Sequence, residues 1–220
     1  MSGDAVDTRD AFLQYLKQGL LQANTPDIQR LSVALYRLLG RGRPVTREQL
    51  GEICGRSQER IGQLLGEFPA TEWNESGAVV AFGGLSIAPT NHRFVTGGVD
   101  LHTWCVLDAL FLPEILGKPA MLITHCPASG AELTVELAPG EVRAARPRGA
   151  MMSIVAPDRQ ACCDNLRKAF CNHVSLFRDS DAFVAWSRGR EGMGSVTLSE
   201  AQLMARQRNA SRYPDVTLGA

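Results

Sequence analysis

The stretch Leu101-His-Thr-Trp-Cys-Val-Leu-Asp-Ala-Leu-Phe-Leu-Pro113 constrains this chain more than any other. It is apolar and reads as a helix, yet it carries Cys105 and Asp108 three residues apart. At that spacing two side chains share one helix face. A carboxyl set into an apolar face is poor core material, so the fold must bury it for a purpose or leave the face open. Trp104 stands beside the pair and is a candidate wall against water. The rest of the chain must supply whatever completes the pair.

A chain of 220 residues, 45% of them hydrophobic, has room for a real core in one large domain or two small ones. Basic and acidic residues balance at 23 each. That balance disfavours nucleic acid and acidic membranes as main partners. The polar opening MSGDAVDTRD carries no export signal, and no apolar run reaches the roughly 20 residues of a membrane span. A soluble, cytoplasmic protein is expected. Its six cysteines, at 54, 105, 126, 162, 163 and 171, are therefore read as reduced. None forms a C-x-x-C pair, which argues against a zinc ribbon or a thioredoxin-type motif.

Along the chain, residues 11–22 space Phe12, Leu13, Leu16 and Leu20 as an amphipathic helix. A second helix is expected over 27–39, with Thr25 as cap and Pro26 at its first position. Thr46 and Gln49 fit a capping box for a third helix that Gly55 closes, and Ser57 starts a fourth. Residues 71–87 read as a hairpin turning at Asn74–Gly77. This order describes a winged helix-turn-helix, with 57–67 in the recognition position. Residues 1–75 carry nine basic and ten acidic residues, not the basic face of a DNA reader. Residues 83–99, rich in Gly, Pro, Thr and Asn, are expected to form a seam. Pro113 is expected to break the following helix, with Glu114–Leu116 adding one further turn. Strands are expected at 119–126, 131–137 and 151–155, a helix over 158–170, β structure in His173–Phe177, and closing helices at 180–187 and 199–208, the last capped by Ser199. Strands clustered between helices without a βαβ rhythm predict an α+β fold. The expected division is a winged-helix-like region, 1–88, and a catalytic core, 89–220.

For chemistry, Cys105 near a helix start is expected to have its pKa lowered by the helix dipole. Thiolate is the form that binds soft metals. To carry a proton at neutral pH, Asp108 must rise from near 3.9, at a cost of about 4 kcal/mol that burial could impose. Cys171, in Phe170-Cys-Asn-His-Val-Ser-Leu-Phe177, is a candidate to enter the same pocket. Cys126 at a hairpin turn and Cys54 at a helix end read as structural. Cys162 and Cys163 are adjacent, about 100° apart on a helix, and do not form one rigid site. His125 and His173 match no zinc template.

Three segments resemble the organomercurial lyases of mercury resistance. Trp104–Pro113 is similar to the family's W-C-A-x-D segment, with Val106 for the usual Ala. Thr124–Gly130 is similar to its S-H-C-x-x-(T/S)-G segment, and Phe170–Phe177 to its F-C-x-H-V-x-F-F segment with Leu176 for one Phe. Gly42–Arg47 also corresponds to its G-R-P-V-(S/T)-R element. The resemblance implies a winged-helix-like N-terminal part packed on a mixed or antiparallel β-sheet core with surrounding helices. It implies protonolysis of a carbon–mercury bond, R–Hg⁺ giving R–H and Hg(II). Catalysis would fall to Cys105, Asp108 and Cys171, which would also hold the Hg(II) product, with Trp104 in the pocket and Cys126 structural. No cofactor is implied. Small cellular thiols or a mercuric reductase would take the Hg(II). A thiol-based, metal-sensing DNA-binding regulator is the alternative that the winged helix leaves open.

Overall fold

A computed structural model describes residues 3–19, 24–66, 68 and 70–219. The first helix, α1 (Gly3–Gln18), starts earlier than the pattern suggests, and Leu20 and the expected end at residue 22 lie outside the described residues. Helix α2 (Pro26–Leu39) is capped by Thr25, whose hydroxyl accepts from the Ile28 N–H at 3.4 Å. Helix α3 (Arg47–Cys54) carries the expected capping box: the Gln49 N–H donates to Thr46 Oγ1 at 3.2 Å, and the Thr46 N–H donates to Gln49 Oε1 at 2.9 Å. Helix α4 is Gln58–Gly66. Strands β1 (Thr71–Trp73) and β2 (Val79–Phe82) form the expected hairpin, and Val45 makes an isolated antiparallel bridge to Val79. Leu31, Leu35, Leu39, Leu50, Ile61 and Leu65 close the winged-helix core.

The expected seam at 83–99 instead contributes strands to the main sheet. Strand β3 (Leu85–Ser86) is followed by β4 (His92–Thr96) and β5 (Val99–Thr103), joined through Gly97 and Gly98 at φ +56° and +77°. Two positive φ angles suit a tight hairpin turn, and only glycine adopts them freely. The turn residues masked the strands on either side. Helix α5 (Val106–Leu116) therefore begins five residues later than expected, because Leu101–Thr103 belong to β5. Strands β6 (Ala120–His125), β7 (Glu132–Ala138) and the charged edge strand β8 (Glu141–Arg146) follow. One antiparallel sheet results, in the order β1-β2-β3-β5-β4-β6-β7-β8. Phe94, Leu122 and Val135 lie opposite one another across β4, β6 and β7, all fully buried.

Helix α5 packs against β5, β6 and β7 and against α2. Pro113 does not break it; the expected turn over Glu114–Leu116 continues the same helix to Leu116. Proline removes one helical hydrogen bond, but each buried Leu, Ile or Phe contributes roughly 2 kcal/mol. Leu107, Leu110, Phe111, Leu112 and Ile115 are all buried. The carbonyls of Leu110 and Phe111 also accept from Gln202 Nε2 and Asn209 Nδ2 at 3.4 and 3.0 Å.

The rest of the chain is β9 (Met151–Val155), α6 (Arg159–Asp164), α7 (Leu166–Ala169), a 3₁₀ turn at Cys171–His173, β10 (Leu176–Phe177), α8 (Ser180–Ser187), β11 (Met193–Thr197) and α9 (Leu198–Arg212). A second sheet runs β10-β9-β11. The single helix expected over 158–170 is split at Asn165, whose extended backbone stops α6 while its Oδ1 accepts from the Lys168 N–H at 2.9 Å to start α7. The cap of α9 is Thr197 rather than Ser199, because Glu200 completes a capping box with Thr197. Helix α1 rests on α9, β9 and β11, with Arg212 Nε donating to the Leu16 carbonyl at 2.8 Å. The fold is α+β, with winged-helix elements and an antiparallel sheet, and no described helix is long and apolar enough to cross a membrane.

Candidate active site

Strand β5 delivers its last residues into a tightly held corner. Thr90 Oγ1 donates to the Thr103 carbonyl at 2.6 Å, and the Trp104 N–H donates to the Gly84 carbonyl at 2.9 Å. Cys105 follows as the N-cap of α5, in the place usually held by Ser or Thr. The capping box is reciprocal: the Cys105 N–H donates to Asp108 Oδ2 at 2.9 Å, and the Cys105 sulfur accepts from the Asp108 N–H. The three-residue spacing thus makes Asp108 a partner of the Cys105 backbone and fixes both side chains.

Cys171 reaches the same corner. The Val106 N–H donates to the Val174 carbonyl at 3.3 Å, which ties the Cys171 turn to the first turn of α5. On the other side Ser153 of β9 holds the segment: its hydroxyl donates to the His173 carbonyl at 2.7 Å and accepts from the Ser175 N–H at 2.9 Å. The sulfurs of Cys105 and Cys171 and a carboxylate oxygen of Asp108 all lie within 4.8 Å of one another. Among the described residues this is the one such cluster of His, Cys, Asp or Glu ligands, and it includes neither His125 nor His173. Exposure is 0% for Cys105, 3% for Cys171 and 7% for Asp108.

Burial sets the electrostatics. Asp108 is pushed up to about 6 by burial, against the hydrogen bond from the Cys105 thiol and the charges of Arg208 and Arg212. Cys105 is pushed well above the ordinary thiol value by burial, then by its hydrogen bond with Cys171 and the charge of Asp108. The hydrogen bond with Cys105 draws Cys171 down, but burial and the Asp108 charge leave it raised. The expected lowering of Cys105 by the helix dipole is thus overturned: a fully desolvated thiol loses more from ionising than a helix N-terminus returns. The resting pair is two protonated thiols.

Sequence reasoning missed three groups. Gly84, at φ +102°, lies so close that a Cβ there would overlap the Asp108 carboxyl. The Gly83-Gly84 pair was the available signal, absorbed into the hairpin. Arg208 and Arg212 of α9 line the inner pocket of about 120 Å³ together with Asp108, Leu107, Phe111 and Cys171. Nothing in the α9 sequence distinguishes them from surface arginines. Trp104 is buried, but it lines an outer groove on the far side of Cys171 rather than the inner pocket. Arg167 lies over its ring at 5.5 Å, and its indole N–H has no partner among the described residues.

The other cysteines stand outside the cluster. Cys126 is buried at its turn; burial alone would raise its thiol, but hydrogen bonds from the Ser129 hydroxyl and the N–H groups of Arg178, Ala128 and Ser129 bring it below the usual value. Cys54 is half-buried, Cys162 buried and Cys163 exposed. His92 is buried and hydrogen-bonded to Thr124 Oγ1 at 2.8 Å.

The alkylmercury lyase family profile matches residues 85–209, and a profile described as the helix-turn-helix domain of alkylmercury lyase matches residues 11–83. An alkylmercury lyase of Streptomyces lividans is 40% identical over 152 residues, 69% of this chain and 69% of that protein. One of Pseudomonas putida is 35% identical over 187 residues, 84% of this chain and 86% of that protein. The fold is similar to the crystal structure of the mercury-bound form of MerB2, with a TM-score of 0.75 and 19% identity over 91% of this chain and 98% of that one. The chain belongs to the alkylmercury lyase family.

Proposed function

We propose that this protein is an organomercurial lyase that cleaves the carbon–mercury bond of alkyl or aryl mercurials by protonolysis, with Cys105, Cys171 and Asp108 as its catalytic residues. The observation that carries the reading is two thiols and a carboxyl within 4.8 Å of one another in a buried site. Mercury(II) is soft and prefers thiolate to any oxygen or nitrogen ligand. A substrate arriving as R–Hg–SR′, the adduct of a small cellular thiol, exchanges that thiol for one cysteine, whose proton leaves with R′SH. The second cysteine gives its proton to Asp108 and joins the metal. Two thiolates on mercury raise electron density at the bound carbon. Asp108 then delivers its proton to that carbon, the carbon–mercury bond breaks, and R–H departs. Hg(II) remains on Cys105 and Cys171, with the Asp108 oxygen beside it. The site excludes bulk water, so the acid keeps its proton for the carbon.

The metal belongs to the substrate, so this chemistry calls for no resident cofactor. Trp104 walls the outer face of Cys171, and Cys126 holds the turn after β6. Residues 1–88 act as the winged-helix-like region and 89–220 as the catalytic core. Removal of Hg(II) falls to small thiols or to cysteines of a mercuric reductase, which suits a cytoplasmic setting rich in reduced thiols. The DNA-binding regulator is not favoured: the exposed residues of α4 include Gln58, Glu59, Arg60 and Gln63, with Arg60 the single base and already donating to Gln63 at 3.2 Å.

Methylmercury incubated with the protein and excess small thiol is expected to release methane, read by headspace gas chromatography. Cys105→Ser and Cys171→Ser should each abolish turnover. Absence of methane from the wild-type protein, or full activity in either variant, defeats the reading.

A further inference from the structure

Two cavities meet at Cys171, and Asp108 lines only the inner one. The carbon that Asp108 protonates must lie beside that acid, so the inner pocket holds the organic group of the substrate. A methyl group would leave most of its volume of about 120 Å³ empty. An apolar cavity of about 150 Å³ holds a benzene molecule, so this space is on the scale of one aromatic ring. Tyr15, Tyr36, Phe111 and Phe170 wall it. Rings of that kind pack well on another ring, stacked or edge to face.

The charge of the pocket differs from that of the chain. Its described charged lining residues are Lys17, Asp108, Arg208 and Arg212, three bases and one acid, in a sequence where bases and acids balance. Arg208 is 4% exposed, donates to Asn209 Oδ1 at 2.7 Å, and sets its guanidinium carbon 3.5 Å from the centre of the Phe111 ring. Arg212 is half-buried and donates through Nε to the Leu16 carbonyl. Among the described residues neither arginine forms an ion pair, with Asp108 or with any other carboxylate. Burial, then the like charge of Arg208, draws Arg212 down to about 10. Charges withdrawn from water are costly unless paired, and Asp108 is no counter-ion while it carries its proton. Phe111 follows Asp108 by three residues on the same face of α5. The acid and the guanidinium on that ring therefore stand about one helical turn apart along α5, on the walls of one cavity.

We propose that the inner pocket is an aryl subsite with an anion-binding end, in which Arg208 and Arg212 select arylmercurials that carry a carboxylate; the inference rests on the lyase reading of the site. Mercury sits on Cys105 and Cys171, its ring carbon lies at Asp108, and the carboxylate supplies the counter-ion that the two guanidinium groups lack. With a 4-carboxyphenyl group, protonolysis moves the Asp108 proton to the ring carbon, breaks the carbon–mercury bond and releases benzoate.

The test compares 4-carboxyphenylmercury with phenylmercury in excess 2-mercaptoethanol, reading benzoate and benzene by chromatography. Both substrates use the same thiols and the same acid, so the ratio of their kcat/KM values isolates the carboxylate contact. In the wild-type protein the ratio should favour the carboxylate by about tenfold or more, the scale of one charge-assisted hydrogen bond. Arg208→Gln and Arg212→Gln should each bring it toward one. A wild-type ratio at or below one, or an unchanged ratio in Arg212→Gln, overturns the subsite, and half-buried Arg212 gives an answer even if Arg208→Gln does not fold. Calorimetric titration without mercury separates the two readings. Benzoate should bind the wild-type protein about tenfold more tightly than benzamide, and Arg212→Gln should erase the difference. Absence of both benzoate and benzene from the wild-type reactions defeats the lyase reading, and the calorimetry still decides the subsite: equal affinity for benzoate and benzamide overturns it.

Discussion

Asp108 occupies a position where a carboxylate is costly and a carboxylic acid is useful. Burial pushes it up to about 6, which lets one group accept a thiol proton and later release it near neutral pH. The sign follows from the free protein. Cys105 and Cys171 both rest as thiols, so the second of them can join the metal only when Asp108 is ionised to take its proton. We expect kcat/KM, measured as methane release from about pH 5 to 8, to fall as pH drops through about 6. A limb at an ordinary carboxylate value, or no acid limb, would contradict this role. The sequence made the Cys105–Asp108 pair visible by spacing and polarity alone. It did not reveal the direction of the Cys105 shift, because a helix N-terminus is readable from residues and burial is not.

At the scale of elements, the site is a junction of three pieces: the β5–α5 corner, the Cys171 turn held by Ser153 of β9, and the Gly84 turn after β2. Gly84 is the tightest of these fits. We expect Gly84→Ala to displace the Asp108 carboxyl, since a Cβ there overlaps it and the φ of +102° suits glycine. Activity should fall by about a hundredfold, the effect of a misplacement near 1 Å, while far-UV circular dichroism stays unchanged. Wild-type kcat in that variant would show that the turn does not position the acid. Elements whose own residues encode them were legible: the Thr46–Gln49 capping box, the Asn74–Gly77 hairpin and β6–β7. The helix continuing past Pro113 was not, because the donors on Gln202 and Asn209 come from about 90 residues away. Strands β4 and β5 were hidden by the glycines that join them.

For the whole molecule, stability against acid depends in part on individual buried groups. His92, between β5 and β6 in the main sheet, is one. Burial lowers its pKa to about 4 from an ordinary 6.5. Between those values the unfolded chain binds the extra proton, so stability is full above about 6.5 and is lost as pH falls toward 4. The loss amounts to roughly 3 kcal/mol. Asp108, raised to about 6, works in the opposite sense over much of the same window. His92→Gln should therefore reduce the acid sensitivity of the urea midpoint by about that amount, and an unchanged pH dependence would remove His92 from the account. The α+β class and the winged helix were legible from the order of elements. The packing of α1 on α9, which closes the inner pocket, was not, because it joins the two ends of the chain.

The central claim is that Asp108 carries the proton that breaks the carbon–mercury bond. It is tested most directly by single-turnover cleavage of methylmercury in Asp108→Asn. That variant should still bind one equivalent of methylmercury on its thiols and lose methane release by about a hundredfold or more. Methane release at the wild-type rate would contradict the claim.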